Sequence, residues 1–496
     1  MKLGLKKIFL HLLGAFFLFS PMVFKAQETI GLTMGNYSGV LGAQLNPGAL
    51  TGNKTFVDIN ILGASFHFSN NFAYIPKEDP AFFGPFPIDT IKPTYGDFYY
   101  NGYYTYYRNH DDKWVSLNAK LMGPSVMLQY KNHAFAFSTS LRMASSGIDI
   151  PWEIPVFSYE DLHYLPLLRK RFQNENFGLN ALLWDEISFS YANEIFSNIN
   201  SSLSIGITGK LLFGIAGIYN IYNEADYKVL DVNNVYYYHL DTEFAYSFED
   251  DIDNINPSIL LPGKANGFGL GFDVGVVYTK KVKTYTNRSS NHRICSFPYE
   301  DYVFKVGFSL LDVGSIKFKK NGELHHYKTD NLLLNVHNLP DFNDLETNEY
   351  FRYLSEVLTG DPDSSFQSTS FRMGLPSAAS FQFDWHIYQP YYVSVLWVHP
   401  ITYKLKNVHR PAQIALTPRY ETQVLGISLP LSVINYHIIR TGLAIRIYNL
   451  TIGTESLGTL LDMRNLDNLD VYFSLKFNLA KGKCDPNKRD ACSGWK

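Results

Sequence analysis

Between Gly267 and Tyr278 the chain reads GFGLGFDVGVVY. Alternate positions hold Phe268, Leu270, Phe272, Val274, Val276 and Tyr278. The positions between them hold Gly267, Gly269, Gly271, Asp273, Gly275 and Val277. Side chains of a strand point to opposite faces in turn, so one face here is oily and the other is stripped almost to glycine. The same pattern recurs. Ile187, Phe189 and Tyr191 alternate with Ser188 and Ser190; Ile205, Ile207 and Leu211 face away from Gly206, Thr208 and Lys210. Phe304, Val306 and Phe308 oppose Lys305 and Gly307, and Phe473, Leu475 and Phe477 oppose Ser474 and Lys476. Period two with aromatic and β-branched residues predicts half-buried strands. Further strands are predicted over 56–68, 114–121, 125–130, 134–142, 380–387, 391–399, 413–420, 422–431, 438–447 and 450–454.

Short reversals at Asn132-His133 and near Glu421 alternate with long polar or aromatic stretches at 76–112, 143–183, 220–264, 280–300 and 320–370. The clearest strands are longer than the roughly five to six residues of an ordinary globular strand. They match the roughly 9–11 residues needed to cross lipid at a tilt. The pattern predicts an all-β fold: a transmembrane antiparallel β-barrel of about 14 strands. Its outer face would meet hydrocarbon and its inner face water or a plug, with every backbone group paired by closure. Inward glycine would let the strand bend tightly or let an inserted segment approach the wall. The alternative is a soluble secreted β-sandwich with a glycine-rich strand against a close neighbour.

Composition agrees with the barrel. Hydrophobic residues make up 46%, aromatic residues 16% and charged residues 18% of 496 positions. The charged share is below the usual ~25% of soluble domains. A net charge of −3 argues against a nucleic-acid partner. The first residues, MKLGLKK followed by IFLHLLGAFFLF and SPMVFKA, predict a cleaved signal peptide over 1–26. The organisation expected is signal peptide 1–26, hatch or plug 27–53, barrel 54–479 and basic tail 480–496.

Alternation puts Lys210, Asp273, Lys305 and Lys476 on the inner face, where mutual ion pairing is the ordinary outcome. Cys484 and Cys492, in KCDPNKRDAC, suit a disulfide that staples the tail. Cys295 stands alone, and no ligand set at zinc spacing accompanies any of the three. The acidic run 249–254 reads as a solvated loop ahead of a Ca²⁺ site. The tyrosine-dense run 97–112 reads as girdle or hairpin packing ahead of ligand contact. His325 and His326 are adjacent and would point to opposite sides. Asp384, Trp385 and His386 lack an accompanying nucleophile motif. No P-loop, dinucleotide fingerprint or HExxH is present, so no enzyme, cofactor or metal is expected.

Several short motifs resemble a known group in their order. LGAQLNPGAL followed by TFVDINILGASFHFSNNF is similar to the start of FadL-like barrels of Bacteroidota, with Asn46, Pro47, Gly48, Ala49 and Leu50 in the place of the inner hatch. There Gly48 replaces the usual Ala. GFSLLDVGSIKF resembles a strand-turn signature of that group, carrying Asp312, Gly314 and Ser315. LPSAASFQFDWHI resembles its Leu-Pro strand opening. The match is closest to a family of exported proteins with a domain of unknown function, and PorV-like secretion barrels are more distant. The resemblance implies an outer-membrane barrel with an N-terminal hatch, in contact with outer-membrane lipid. It implies passage of small apolar cargo through a gate at Asn46–Leu50. The alternative is a non-transporting adaptor for a secretion-system or surface protein partner.

Overall fold

The computed structural model describes residues 29–77, 105–248 except 163, 265–282, 302–340 and 347–480 except 403, with short strand pairs at 92–93/99–100 and 483–484/492–493. The signal peptide, the acidic run 249–254 and Cys295 lie outside the described residues, as do the side chains of Tyr99, Tyr100, Tyr103 and Tyr104.

The main strands are β1 (Thr55–Asn70), β2 (Lys113–Met122 continued by Ser125–Tyr130), β3 (His133–Ile150), β4 (Arg171–Ser197) and β5 (Ser201–Val229). They continue with β6 (Asn234–Ser247), β7 (Gly267–Lys281), β8 (Tyr302–Phe318), β9 (Gly322–Asn335) and β10 (Phe371–Gly374 and Ala378–Tyr388). The series ends with β11 (Tyr391–Pro400), β12 (Gln413–Glu421), β13 (Leu425–Ser428 and Leu431–Ile434), β14 (Ile438–Thr441 and Leu443–Ile447), β15 (Leu450–Thr454) and β16 (Asn468–Ala480). Antiparallel pairing runs from neighbour to neighbour, and β16 returns to β1 with Asp58 opposite Asn478 and Ile59 opposite Phe477. The result is a closed 14-strand antiparallel barrel. Closure removes the sheet edges that would otherwise leave backbone groups unpaired in lipid.

β6 and β9 stand outside that ring. β5 is long enough to serve two neighbours: Ser201–Gly214 pairs with β7, and Gly217–Val229 pairs with β6. β6 then pairs with β9, extending the sheet beyond the barrel's outer end. Here the structure differs from the pattern-based expectation. The stretches 143–183, 220–264 and 320–370, expected as loops, contain the ends of β3, β4 and β5, all of β6 and β9, and the helix Thr347–Thr359. Beyond the lipid zone both faces of a sheet pack or meet water, so the two-residue contrast lapses. β6, NVYYYHLDTEFAYS, shows the effect. Its Val235 and Leu240 join Val156, Tyr227, Tyr327 and Leu358 in a separate outer core.

At membrane level the alternation of β7 is realised as a wall. Phe268, Leu270 and Phe272 are 53%, 62% and 44% exposed, whereas Gly269, Gly271, Asp273 and Gly275 are buried. Phe137, Phe189, Ile207, Phe308, Trp397 and Leu416 continue the exposed apolar belt on other strands. A belt of large apolar side chains around a closed wall suits hydrocarbon, not water. Among the described residues no helix is long and apolar enough to cross a membrane; the strands do the crossing.

The short reversals at 131–132, 198–200, 389–390, 422–424 and 448–449 lie at the end of the barrel where β1 starts and β16 stops. From that end, residues 30–53 enter the lumen as a short helix (Ile30–Thr33) and two tight 3-10 turns (Gly39–Gln44 and Pro47–Gly52). Val40, Leu41 and Leu50 pack on Met127, Ala134 and Tyr472. Ile30, Met34 and Leu45 pack on Leu311, Leu396 and Val398.

Candidate functional site: the plugged lumen

The turn Pro47–Gly52 is built locally. Asn46 caps it, its side-chain oxygen accepting the Gly48 N–H at 2.9 Å, and Pro47 supplies the fixed φ favoured at a first turn position. The same Asn46 amide reaches the wall. Its Nδ2 donates to Gln382 Oε1 at 2.7 Å and lies 3.2 Å and 3.3 Å from the carbonyl oxygens of Val276 and Phe308. The docking surface is glycine. A Cβ on Gly206 would stand 2.4 Å from the Pro47 carbonyl carbon. One on Gly275 would stand 2.0 Å from Asn46 Oδ1, and one on Gly307 2.9 Å from Asn46 Nδ2. These glycines sit on three neighbouring strands, β5, β7 and β8, and form a flat bay for Asn46–Gly48. Ala49 accepts from the Asn53 side chain at 3.2 Å, and Leu50 is fully buried.

The inner-face lysines divide into two groups. Lys305 Nζ donates to Asn36 Oδ1 at 3.2 Å and to the Gly52 carbonyl at 3.0 Å. Lys476 donates to the carbonyls of Tyr37 and Ser38 and pairs with Asp58 at 3.3 Å. Both tie the plug to the wall. Asp58 in turn accepts the Val40 N–H at 3.2 Å, and Glu421 accepts the Asn36 amide at 2.8 Å. Thr51 bonds Ser204 at 2.8 Å, and Ser309 donates to the Leu45 carbonyl at 2.7 Å.

Lys210 and Asp273 belong to a second group, toward the outer end. They pair at 2.8 Å. Their common partner is Asp312, which accepts two bonds from Arg142 (2.7 Å and 2.9 Å), one from Lys210 (2.6 Å) and one from Arg410 (2.6 Å). Arg142 also bonds Glu186 at 2.9 Å. Asp312, Gly314 and Ser315 occupy an irregularity inside β8, not a chain reversal. Asp312 has φ +53°, a left-handed value that Asp tolerates better than most residues. Its N–H turns to Asp273 Oδ1 at 2.7 Å. Gly314 faces Gly271 across the pairing, and Ser315 Oγ accepts from exposed Arg372 at 3.3 Å.

Other candidates fall outside the lumen's working parts. His325 is buried between Ser365 and Glu323, while His326 points away to Asp241. Asp384 pairs with Arg419 at 2.9 Å, and Trp385 faces out at 47% exposure. Tyr106 stacks on Phe72 at 5.1 Å, and Tyr107 on Tyr74 at 4.3 Å. In the tail, Cys484 stands directly opposite Cys492 in a two-stranded pair. Among the described residues no group of three His, Cys, Asp or Glu could hold a metal.

Sequence reasoning missed Arg142, Glu186, Gln382, Asp58, Glu421 and Arg410. Alternation carried a signal for most of them: Arg142 shares a face with Ala134, Ala136 and Ser138, and Gln382 with Ser380 and Asp384. Arg410 lies in the connection 401–412 and had no such signal.

Comparison with solved structures finds distant likenesses. The Ralstonia pickettii toluene transporter TbuX is 8% identical, with 90% of this chain and 95% of that one covered and a TM-score of 0.38. The Pseudomonas putida toluene transporter TodX is 8% identical, with 92% and 100% covered and a TM-score of 0.33. The translocator domain of the autotransporter NalP from Neisseria meningitidis is 7% identical, with 88% and 94% covered and a TM-score of 0.30. Likeness at that level assigns neither substrate nor activity to this chain. No curated protein matches the sequence. One family does: its sequence profile spans residues 47–455, from the docked Pro47 to the residue after β15, and the chain therefore belongs to the Family of unknown function (DUF5723).

Proposed function

We propose that this chain is an outer-membrane channel for small molecules, exported by a cleaved signal peptide and closed by its own N-terminal segment. The carrying observation is the seat of Asn46–Gly48 in the bay of Gly206, Gly275 and Gly307. Three strands keep a flat, side-chain-free surface where the turn Asn46–Gly48 of the plug docks. The anchors are hydrogen bonds and two lysine contacts, which a shift of the plug breaks and remakes without covalent change. Asn46–Leu50 are the gate in this reading.

The resemblance implied apolar cargo. The space between plug and wall has a different character, being bordered by Ser188, Ser190, Thr208, Asn118 and the Asp312 ion pairs. A hydrocarbon would gain little from such a lining and would leave its polar groups without water. The lining therefore favours a small polar solute. The test is single-channel conductance in planar bilayers. The intact mature chain is expected to be nearly closed, and deletion of 30–53 to open it. A deletion variant that still folds as a heat-modifiable barrel yet conducts nothing would overturn the channel.

A second reading, a surface or secretion-associated adaptor, is favoured by the outer extension. β6, β9 and the helix Thr347–Thr359 build a platform beyond the barrel that leaves Leu333 56% and Phe366 42% exposed. Stable co-purification with a secreted protein, without conductance, would favour it.

A further inference from the structure

Between the plug and the inner wall lies a cavity of about 70 Å³, room for several waters or one small solute. Its border holds four basic side chains, Lys120, Arg142, Lys210 and Arg410, and three acidic ones, Glu186, Asp273 and Asp312. The acidic groups are all engaged by Arg142, Lys210 and Arg410. Lys120 is within ion-pair distance of none of these carboxylates, and Glu186 and Asp312 attract it only from farther off. Partly buried on β2, it makes no hydrogen bond or ion pair among the described residues, and it stands directly opposite Arg142 across the β2–β3 pairing. Like charges placed opposite each other in a sheet repel, and a confined, weakly screened lumen strengthens that repulsion.

We infer that the cavity is a binding site for one small monoanion of the carboxylate class, held by the Lys120 ammonium. One negative charge balances the excess at the border. The neighbouring hydroxyls of Ser138, Ser188, Ser190 and Thr208 are positioned to donate to its oxygens, although they now bond one another at 2.8 Å in the pairs Ser138–Ser188 and Ser190–Thr208. The size of the space limits the guest to a few heavy atoms. Because Thr33 and Gln44 of the plug complete the border, the anion sits on the seam that opening would separate. As the cargo class of the channel, the anion rests on the functional reading above; as a binding site it does not.

The experiment is calorimetric titration of the mature chain in detergent micelles with sodium acetate and, as an uncharged counterpart, acetamide. Ionic strength is held with sodium gluconate, whose anion exceeds the cavity. Acetate is expected to bind saturably at one site and acetamide not at all. Lys120→Gln is expected to weaken acetate at least tenfold and to raise the unfolding temperature in acetate-free buffer, because it evens the charges. Lys131→Gln, on an exposed reversal, should leave binding unchanged. Absence of saturable acetate binding to the unaltered chain, or full affinity in Lys120→Gln, would overturn the site. The conductance of the 30–53 deletion decides the channel separately: an open channel without acetate binding would remove the anion and leave the channel standing.

Discussion

Gly206→Ala is the smallest change that tests how the plug is held. The added methyl would lie 2.4 Å from the Pro47 carbonyl carbon, 2.5 Å from the Gly48 nitrogen and 2.6 Å from the Pro47 oxygen. All three are backbone atoms, so no side chain can swing aside. β5 cannot retreat either, because Gly206 is paired with Ala192 on one side and Gly275 on the other. The turn must therefore move by about 1 Å to restore ordinary contact, which pulls Asn46 from Gln382 and Thr51 from Ser204. Overpacking costs about 1–3 kcal/mol, and each lost hydrogen bond costs about 0.5–1.5 kcal/mol net. Together about 2–6 kcal/mol is taken from docking, raising the undocked fraction by roughly one and a half to four powers of ten. Gly209→Ala is the matched control, since nothing lies within 4 Å of its added carbon. Hydrogen exchange of residues 39–52, measured on the chain in micelles, reads the outcome. Gly206→Ala should strip protection from this segment and leave the strands protected. Equal protection in the two variants would refute the docking argument.

Other outcomes follow from the same geometry. Asp312→Asn keeps the shape but removes the charge shared by Arg142, Lys210 and Arg410, and should cost about 3–5 kcal/mol in denaturant unfolding followed by tryptophan fluorescence. Leu270→Arg, on the lipid side of β7, should cost about 2–4 kcal/mol in folding into bilayers. In the outer extension, burial holds the His325 pKa below the usual 6.5, against the pull of Glu323. Its contribution to stability is whole above that value and declines as pH falls from 6.5 toward the folded pKa, so exchange of the helix Thr347–Thr359 should quicken in mild acid and His325→Gln should flatten the dependence. The opposed Cys484 and Cys492 should resist alkylation, in protein produced in an oxidising compartment, until a reductant is added, leaving one labelled thiol of three before reduction and three after.

How much of this was legible beforehand depends on the range of each interaction. The side of a strand that a residue occupies is set by the backbone within two positions. GFGLGFDVGVVY therefore announced both its lipid face and its inner face, and about fourteen predicted strands, several with that alternation, announced a barrel. The inward placement of Lys210, Asp273, Lys305 and Lys476 was readable for the same reason, whereas inward glycine allowed either a tight bend or an inserted segment. Alternation failed beyond the bilayer, where β6 and β9 pack both faces and the polar contrast disappears.

Partners were another matter. Lys476 meets Tyr37 and Ser38 from the far end of the chain, and Asn46 meets Gln382 on β10. No local pattern encodes such meetings, because they exist only after the ring has closed and fixed which strands face one another. Asp312 looked like part of a turn and became the hub of an ion-pair network, since an irregularity in β8 turns its carboxylate inward to three cations from β3, β5 and the connection 401–412. The sequence by itself determined that a wall would form and which way the residues of its membrane-level strands would look, and it left room on the inner face for a bend or an inserted segment. Only tertiary structure decided where an inserted segment sits and which charges balance, because closure brings together residues hundreds of positions apart and, among the described residues, leaves Lys120 without an ion pair.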